Sequence, residues 1–415
     1  MKTLGHRPAT GSLLLLLVSS ILSVGSVSAD ALQPYTPSRD SIVLEHLPST
    51  TDPRVRRFDA LKRQAATPTH NASADIALAQ AYLNYGRDTG DARYLGRAEA
   101  VIAPLVAMRP AMVNALLVEA TILQSRHQFV ESRRVLQTIL ARDPDNPQAW
   151  LTLASVAMVQ GDMEEAHRDC ARLMGGVDAL VVAGCLAAWS SATGHADNAL
   201  RILDAIAQQE PNEPAAMQSW AHGLMADAAK TLGQSDRADA EFVKALQFAP
   251  GDNFLLADYA DFLLDRGHPQ KALELTRDYS QSDTSYLRQV LAEYRLGSPA
   301  TKADIQQMAS RFGDLEQRGD SRLYGREEAR FALQLQNDPA KALRLAREDW
   351  SHQRAPEDMR VYLEAALAAG QPQAALPVVE FLQRTRLEDP VVRALAARVT
   401  EAMARRPTAA TGRQR

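Results

Sequence analysis

The chain has little with which to do chemistry. Its two cysteines, Cys170 and Cys185, are not spaced as C-x-x-C and follow no strand pattern, which argues against a dithiol redox centre. Its nine histidines are scattered, and His127, His195 and His268 fall at inter-helix turns where a polar ring is simply tolerated. There is no H-E-x-x-H and no G-x-S-x-G, so nucleophile, base and orienting group never come together. The stretch Gly86-Arg87-Asp88-Thr89-Gly90-Asp91 has the glycine and charge of a phosphate loop, but it lacks the Lys-Ser/Thr ending and follows a helix, not a strand. His167 and Cys170 are three apart and could share a helix face with Cys185 near them, yet no fourth zinc ligand is evident. The expectation is a protein without catalysis, cofactor or metal.

Charge of one sign and long apolar runs are missing too. With 46 basic against 50 acidic residues, no face or tail is basic enough to make nucleic acid the default partner. Only the N-terminus carries an apolar run: Lys2 and Arg7 precede Leu13 to Val18, Ile21 and Leu22, and Val27-Ser28-Ala29 supplies small residues at a cleavage spacing. That run is about 12 residues, short of the ~20 a permanent span needs, so the reading is an export signal over 1–29, cut after Ala29. An anchor left by an uncleaved signal is the alternative. Cleavage takes the net charge from −4 to −6.

What the chain has in quantity is helical period. From Asp143 to Gly175, Asp145 and Asn146 offer N-caps and Pro147 suits a first helical position, where its missing N–H goes unused anyway. Trp150, Leu153, Ala154 and Ala157 then mark one apolar face. Gly161 breaks that helix, and Ala166, Cys170 and Leu173 carry the inward face of a second one, which Gly175 and Gly176 end. Such a hairpin cannot bury its apolar face alone. Three sets of marks repeat it: Pro110, Pro144, Asp178, Pro211 and Pro250 step by 34, 34, 33 and 39 residues, while Gly161, Gly194, Gly233, Gly267 and Ala166, Ala199, Ala238, Ala272 both step by 33, 39 and 34. The long step is accounted for by one extended helix from Pro214 to Leu232.

These offsets of large residue, Leu, small residue, turn Gly, small Ala and closing Pro resemble the tetratricopeptide repeat. The resemblance covers roughly 73–390, is strong over 113–276 and degenerates outside; Arg330 stands where the family wants a small residue. It implies an all-α fold, a right-handed α-α superhelix of about eight or nine repeats, whose first helices line a concave groove. Carried across, the groove positions are Asn114, Thr121 and Gln124, then Gln148, Leu151 and Ser155, then Asp227 and Lys230, then Asp261 and Asp265, a mixed lining that is neutral to acidic. Tyr82, Tyr85 and Trp220 are candidate aromatic anchors. The Lys/Asn/Arg set with which some members clamp a peptide's terminal carboxylate is not present as a set.

The resulting map is a signal at 1–29, an extended arm with a short helix at 30–72, an array at 73–284 and degenerate repeats at 285–389. A capping helix at 390–405 and a disordered tail at 406–415 complete it. In the first repeat, Ala74 to Tyr85 is one helix and Ala92 to Met108 the other; further on, Arg322 to Gln336 pairs with Ala340 to Ser351. An oxidising compartment and similar heights on adjacent helices favour a Cys170–Cys185 disulfide, with two buried free thiols as the other option. The function expected is an exported scaffold in the cell envelope, in the periplasm, binding a protein or peptide in its groove; a membrane-protein partner is compatible with this. A structural part of an envelope assembly and an enzyme subunit without a local motif are the other classes.

Overall fold

The computed structural model describes Arg39 and residues 51–66, 71–209, 212–319 and 321–405. The expected signal, most of the arm and the tail therefore lie outside the described residues. The described residues from 51 to 405 belong to one compact unit.

Every regular element described is helical. Asp52 caps α1 (Pro53–Ala65), its carboxylate accepting from the Arg54 amide at 2.8 Å. Antiparallel pairs follow: α2 (Ala72–Thr89) with α3 (Arg93–Ala107), α4 (Val113–Ser125) with α5 (Phe129–Leu140), α6 (Pro147–Gln160) with α7 (Met163–Ala171), and α8 (Ala179–Ala192) with α9 (Ala196–Gln209). The long α10 (Ala215–Thr231) packs on α11 (Ser235–Phe248), then α12 (Asn253–Asp265) on α13 (Pro269–Thr276). The C-terminal pairs are α14 (Asp283–Leu296) with α15 (Thr301–Gln317), α16 (Gly325–Gln334) with α17 (Pro339–Trp350), and α18 (Pro356–Ala368) with α19 (Leu376–Thr385), closed by α20 (Pro390–Ala404).

The repeated marks have physical causes. Ala166, Ala199, Ala238 and Ala272 are wholly buried where the second helix of each pair meets its neighbours, so nothing beyond a methyl fits. Each pair turns on one residue with a positive φ: Gly90, His127, Gly161, Gly194, Gly233, Gly267, Gly297, Asn337 and Gly370, with φ between 54° and 79°. Asn146 caps α6 by accepting from the Ala149 amide at 3.0 Å, and Trp150 donates from Nε1 to the Pro144 carbonyl at 2.8 Å. Cys170 and Cys185 form a disulfide across the α7–α8 connection with Cα atoms 5.6 Å apart, packed on Ala154 and Leu173.

Two boundaries differ from the sequence reading. The expected turn over Gly86–Asp91 is mostly helix, because α2 runs on to Thr89 and only Gly90 is left-handed. Gly86 is there for contact, not for turning: a Cβ would stand 3.0 Å from that of Tyr94. Residues 321–324 form a short 3₁₀ turn, so α16 begins at Gly325 and not at Arg322.

The superhelix also touches itself. Turns within the early pairs meet connections between the late ones: the Ala196 amide donates to Glu388 Oε2 at 3.3 Å across 192 residues, and Arg354 Nη1 donates to the Gln160 carbonyl at 3.1 Å across 194. The same seam places Gly90 against Ser282, Gly161 against Phe381, and Gly194 against the Arg386 carbonyl. One superhelical turn thus takes about 5.7 repeats of 34 residues.

Gly184 in α8 carries a sharp test of this packing. A Cβ there would lie 2.1 Å from the Trp220 ring of α10. Helix propensity alone predicts that Gly184→Ala stabilises by about 1 kcal/mol. Overpacking predicts the opposite sign, a loss of about 1–3 kcal/mol in urea unfolding; a stabilised variant would contradict the Trp220 contact.

Candidate functional site

The inward faces of the first helices divide into two stretches of different chemistry. From α10 to α20 they enclose a lumen crowded with charge. Asp261 accepts from Arg288 Nε and Nη2 at 3.1 and 2.8 Å, and Arg330 Nη1 lies 2.6 Å away. Arg288 turns its remaining nitrogen to Glu327, and Arg326 sits 3.2 Å from Asp358. Burial alone would raise the pKa of Asp261, but the two guanidiniums overcome it and hold the carboxyl below the usual range.

Two ion pairs cross the lumen. Lys230 Nζ of α10 lies 3.3 Å from Glu357 Oε1 of α18, 127 residues on, and also 3.2 Å from Asp227. Arg360 Nη2 of α18 donates to Asp265 Oδ1 of α12 at 2.8 Å, 95 residues back. These spans are half to two thirds of the superhelical step, so the pairs join opposite walls. Asp258 stands beside them, held protonated up to about 8 by burial first and then by the Asp227 carboxylate. Asp227, its side chain still 45% exposed, is raised in the same direction. Between the walls is a cavity of about 220 Å³ into which Arg330 faces, with Nη2 making no hydrogen bond.

The earlier stretch is open and carries less charge. A hollow of about 350 Å³ lies between α1, α2 and α4, lined by Ile76 and Ala77, by the amides of Gln80, Asn84 and Asn114, and by one charged side chain, Arg57 of α1. Asn114 is exposed. Further along, Gln124 Nε2 donates to Ser155 Oγ at 3.1 Å, Gln148 to Thr152 at 3.3 Å, and Thr121 to its own Leu117 carbonyl at 2.9 Å. Leu151 is half-buried among its neighbours.

The structure separates the sequence candidates accordingly. Asp227, Lys230, Asp261 and Asp265 come together in the lumen, but three of them hold ion pairs with the chain's own late repeats rather than facing solvent. Tyr82 and Tyr85 are not groove anchors: Phe58 of α1 covers them, with ring centroids 4.7 and 5.4 Å away, and both are buried. Trp220 lies on Gly184. The neutral-to-acidic lining expected from sequence is incomplete, since Arg288, Arg326, Arg330 and Arg360 were not among the candidates. Only Arg330 gave a signal, as a large charged residue at a small-residue position. Among the described residues no cluster of His, Cys, Asp and Glu could hold a metal ion.

A tetratricopeptide-repeat family model matches residues 123–173. No curated protein matches the chain. Among solved structures, a chain of the Cut9-Hcn1 hetero-tetramer of the APC/C has a TM-score of 0.50 at 13% identity, covering 83% of this chain and 66% of that one. The chain thus spans just under two thirds of that relative, and the likeness concerns the fold alone. The human IFIT1 dimer with PPP-AAAA gives 0.47 at 15% identity over 80% of this chain and 78% of that one. A repeat protein from Parabacteroides merdae gives 0.38 at 15% over 65% and 98%.

Two carboxyls, one in the lumen and one on α17, should titrate near neutrality. Asp258 and Asp349 are both held protonated up to about 8, Asp349 by burial and then by Asp358. The folded state therefore keeps protons that the unfolded chain has lost above about pH 4, and this stability is lost as pH rises through 8. The denaturation midpoint is expected to fall between about pH 5 and 8 and to level off above 8, and this fall is expected to flatten in Asp258→Asn/Asp349→Asn; an unchanged slope in that variant contradicts the assignment.

Proposed function

Because the chain contains tetratricopeptide repeats, we propose that it is an exported scaffold that holds an extended segment of a protein partner on the open, amide-lined stretch of its concave face. The observation that carries this is the division of that face. Cross-lumen pairs occupy the stretch from α10 to α18, whereas Gln80, Asn84 and Asn114 border a hollow that nothing in the described chain fills.

Amides suit such a task. Each carboxamide offers both donors and an acceptor, so a row of them can match the alternating N–H and C=O of an extended backbone without demanding a charged sequence. The receptor is already ordered by helix packing, so the ordering cost falls on the partner alone. Ile76 and Ala77 supply a small apolar floor. Asn114, Thr121, Gln124, Gln148 and Ser155 continue the polar track along α4 and α6.

The N-terminal residues and the disulfide together support the exported location in this reading. Lys2, Arg7, the apolar run and Ala29 read as an export signal, and a buried Cys170–Cys185 bridge suits an oxidising compartment such as a periplasm. No described helix is long and apolar enough to cross a membrane, so a membrane-embedded partner would be engaged from outside the bilayer.

Two measurements test the reading. A partner captured from envelope extracts should bind Gln80→Ala/Asn84→Ala/Asn114→Ala at least ~10-fold more weakly, from about 1 kcal/mol per lost hydrogen bond, and bind Arg393→Glu on the distant α20 unchanged. Equal affinity for the triple variant ends the concave-face assignment. Mass spectrometry of the protein from its native compartment should find Asp30 first and, without reductant, a 170–185 peptide lighter by two hydrogens. Intact Met1 with free thiols would end the export assignment.

A further inference from the structure

The seam between successive superhelical turns holds a second site, outside the concave face. Where the α6–α7 and α8–α9 turns meet the α17–α18 connection and the end of α19, a trough of about 960 Å³ opens. Five arginines line it, Arg133, Arg168, Arg354, Arg384 and Arg386, against only Asp162 and Glu164. In a chain of net charge −4 this is a local reversal of sign.

Most of that positive charge is uncompensated. Arg133 is paired with Glu165. Arg168, Arg384 and Arg386 have no ion-pair partner among the described residues, and the sequence reading passed over all three. Arg354 spends Nη1 on the Gln160 carbonyl at 3.1 Å and lies 5.9 Å from the Phe381 ring centroid, with Arg384 5.0 Å from the same ring. The pKa of Arg354 is lowered by burial and then by Arg384, as expected of cations crowded without a counter-charge. Trp189 forms part of the wall, its ring 4.3 Å from that of His167 and its Nε1 donating to the Met163 carbonyl at 2.8 Å.

We propose that this trough binds an acidic peptide segment, rich in Asp and Glu, of a partner protein. A compact phosphate would seek a cradle of backbone N–H groups at a helix N-terminus, and both such ends here are taken. Asp162 caps α7, accepting from the Glu165 amide at 3.3 Å, and Glu388 reaches over from the next superhelical turn to the Ala196 amide of α9. What is left is a row of guanidiniums spaced along a trough, each able to take a carboxylate in its fork. A single-stranded nucleic acid would need exposed ring faces on which bases can stack; the one tryptophan lining the trough already packs against the His167 ring at a tilt of 31° and is tied by its Nε1 to the Met163 carbonyl. The geometry therefore matches a string of carboxylates on an extended chain.

The site joins the two halves of the array. Arg133 and Arg168 come from early repeats, Arg354, Arg384 and Arg386 from late ones, so an acidic segment lying in the trough neutralises both rims of the seam at once. Binding there is separate from any contact on the amide-lined hollow, and each can fail without the other.

The test is fluorescence anisotropy of a labelled octapeptide of glutamate with the full chain, beside the glutamine octapeptide, inorganic phosphate and single-stranded oligouridine at equal ionic strength. The glutamate peptide is expected to bind, to weaken as salt is raised, and to bind Arg168→Glu/Arg384→Glu at least tenfold more weakly. Both substituted side chains are exposed, and circular dichroism checks that the fold persists. Arg393→Glu, outside the trough, is expected to leave the affinity as it was. No binding, equal binding of the glutamine peptide, indifference to the double reversal, or tighter binding of phosphate or oligouridine would each overturn the proposal.

Discussion

Lys230 meeting Glu357, and Arg360 meeting Asp265, are the contacts that fix how tightly this array coils. In an ordinary solenoid each repeat touches only its neighbours, and curvature follows from small rotations summed along the chain. Here walls 95 and 127 residues apart are tied together, and edges 192 and 194 residues apart are sewn along a seam. Such pairs contribute less net stability than an apolar replacement of the same volume, because both ions lose water. Leaving one member without its partner costs several kcal/mol, however. A coil with a different pitch would part Lys230 from Glu357 and Arg360 from Asp265 and leave those two carboxylates without their cations, so the charges act on shape more than on overall stability.

That constraint also decides where a partner can go. The late repeats spend their concave faces on one another, and the early ones do not. Binding energy is then available at two kinds of place: the amide-rich hollow between α1, α2 and α4, and the seam, where arginines from two superhelical turns outnumber the carboxylates beside them. The glycines serve the same economy of space. Gly161 and Gly194 turn their helix pairs and, having no Cβ, also let Phe381 and the Arg386 carbonyl close the seam.

Most of the fold was legible because its rules are local. A cap, an apolar face, a residue with positive φ and a buried alanine recur at fixed offsets, and each leaves its own trace in the sequence. The trace is fainter where another residue type takes the same backbone role: His127 and Asn337 adopt positive φ at two of the turns, which were legible as turns without the glycine mark the others carry. It misleads at Gly86, where glycine serves helix contact rather than a turn. The site was legible only in part, for a different reason. Which first-helix positions face inward can be counted from the repeat, but which of them meet across the lumen depends on the pitch, and no local offset carries that. Arg330 was the exception: its misfit with the repeat marked the place where the small-residue rule yields to an ion pair with Asp261. Tyr82 and Tyr85 were misplaced because α1, a helix outside the repeat pattern, supplies the Phe58 ring that covers them.

Zero-length carbodiimide cross-linking of the native protein, read by mass spectrometry, bears most directly on the closed coil. It joins only an amine and a carboxylate already in contact. The account predicts an amide between Lys230 and Glu357, lost when the chain is unfolded beforehand. Coupling of Lys230 to Asp227 on its own helix alone, with no product to Glu357, would mean that the walls do not meet.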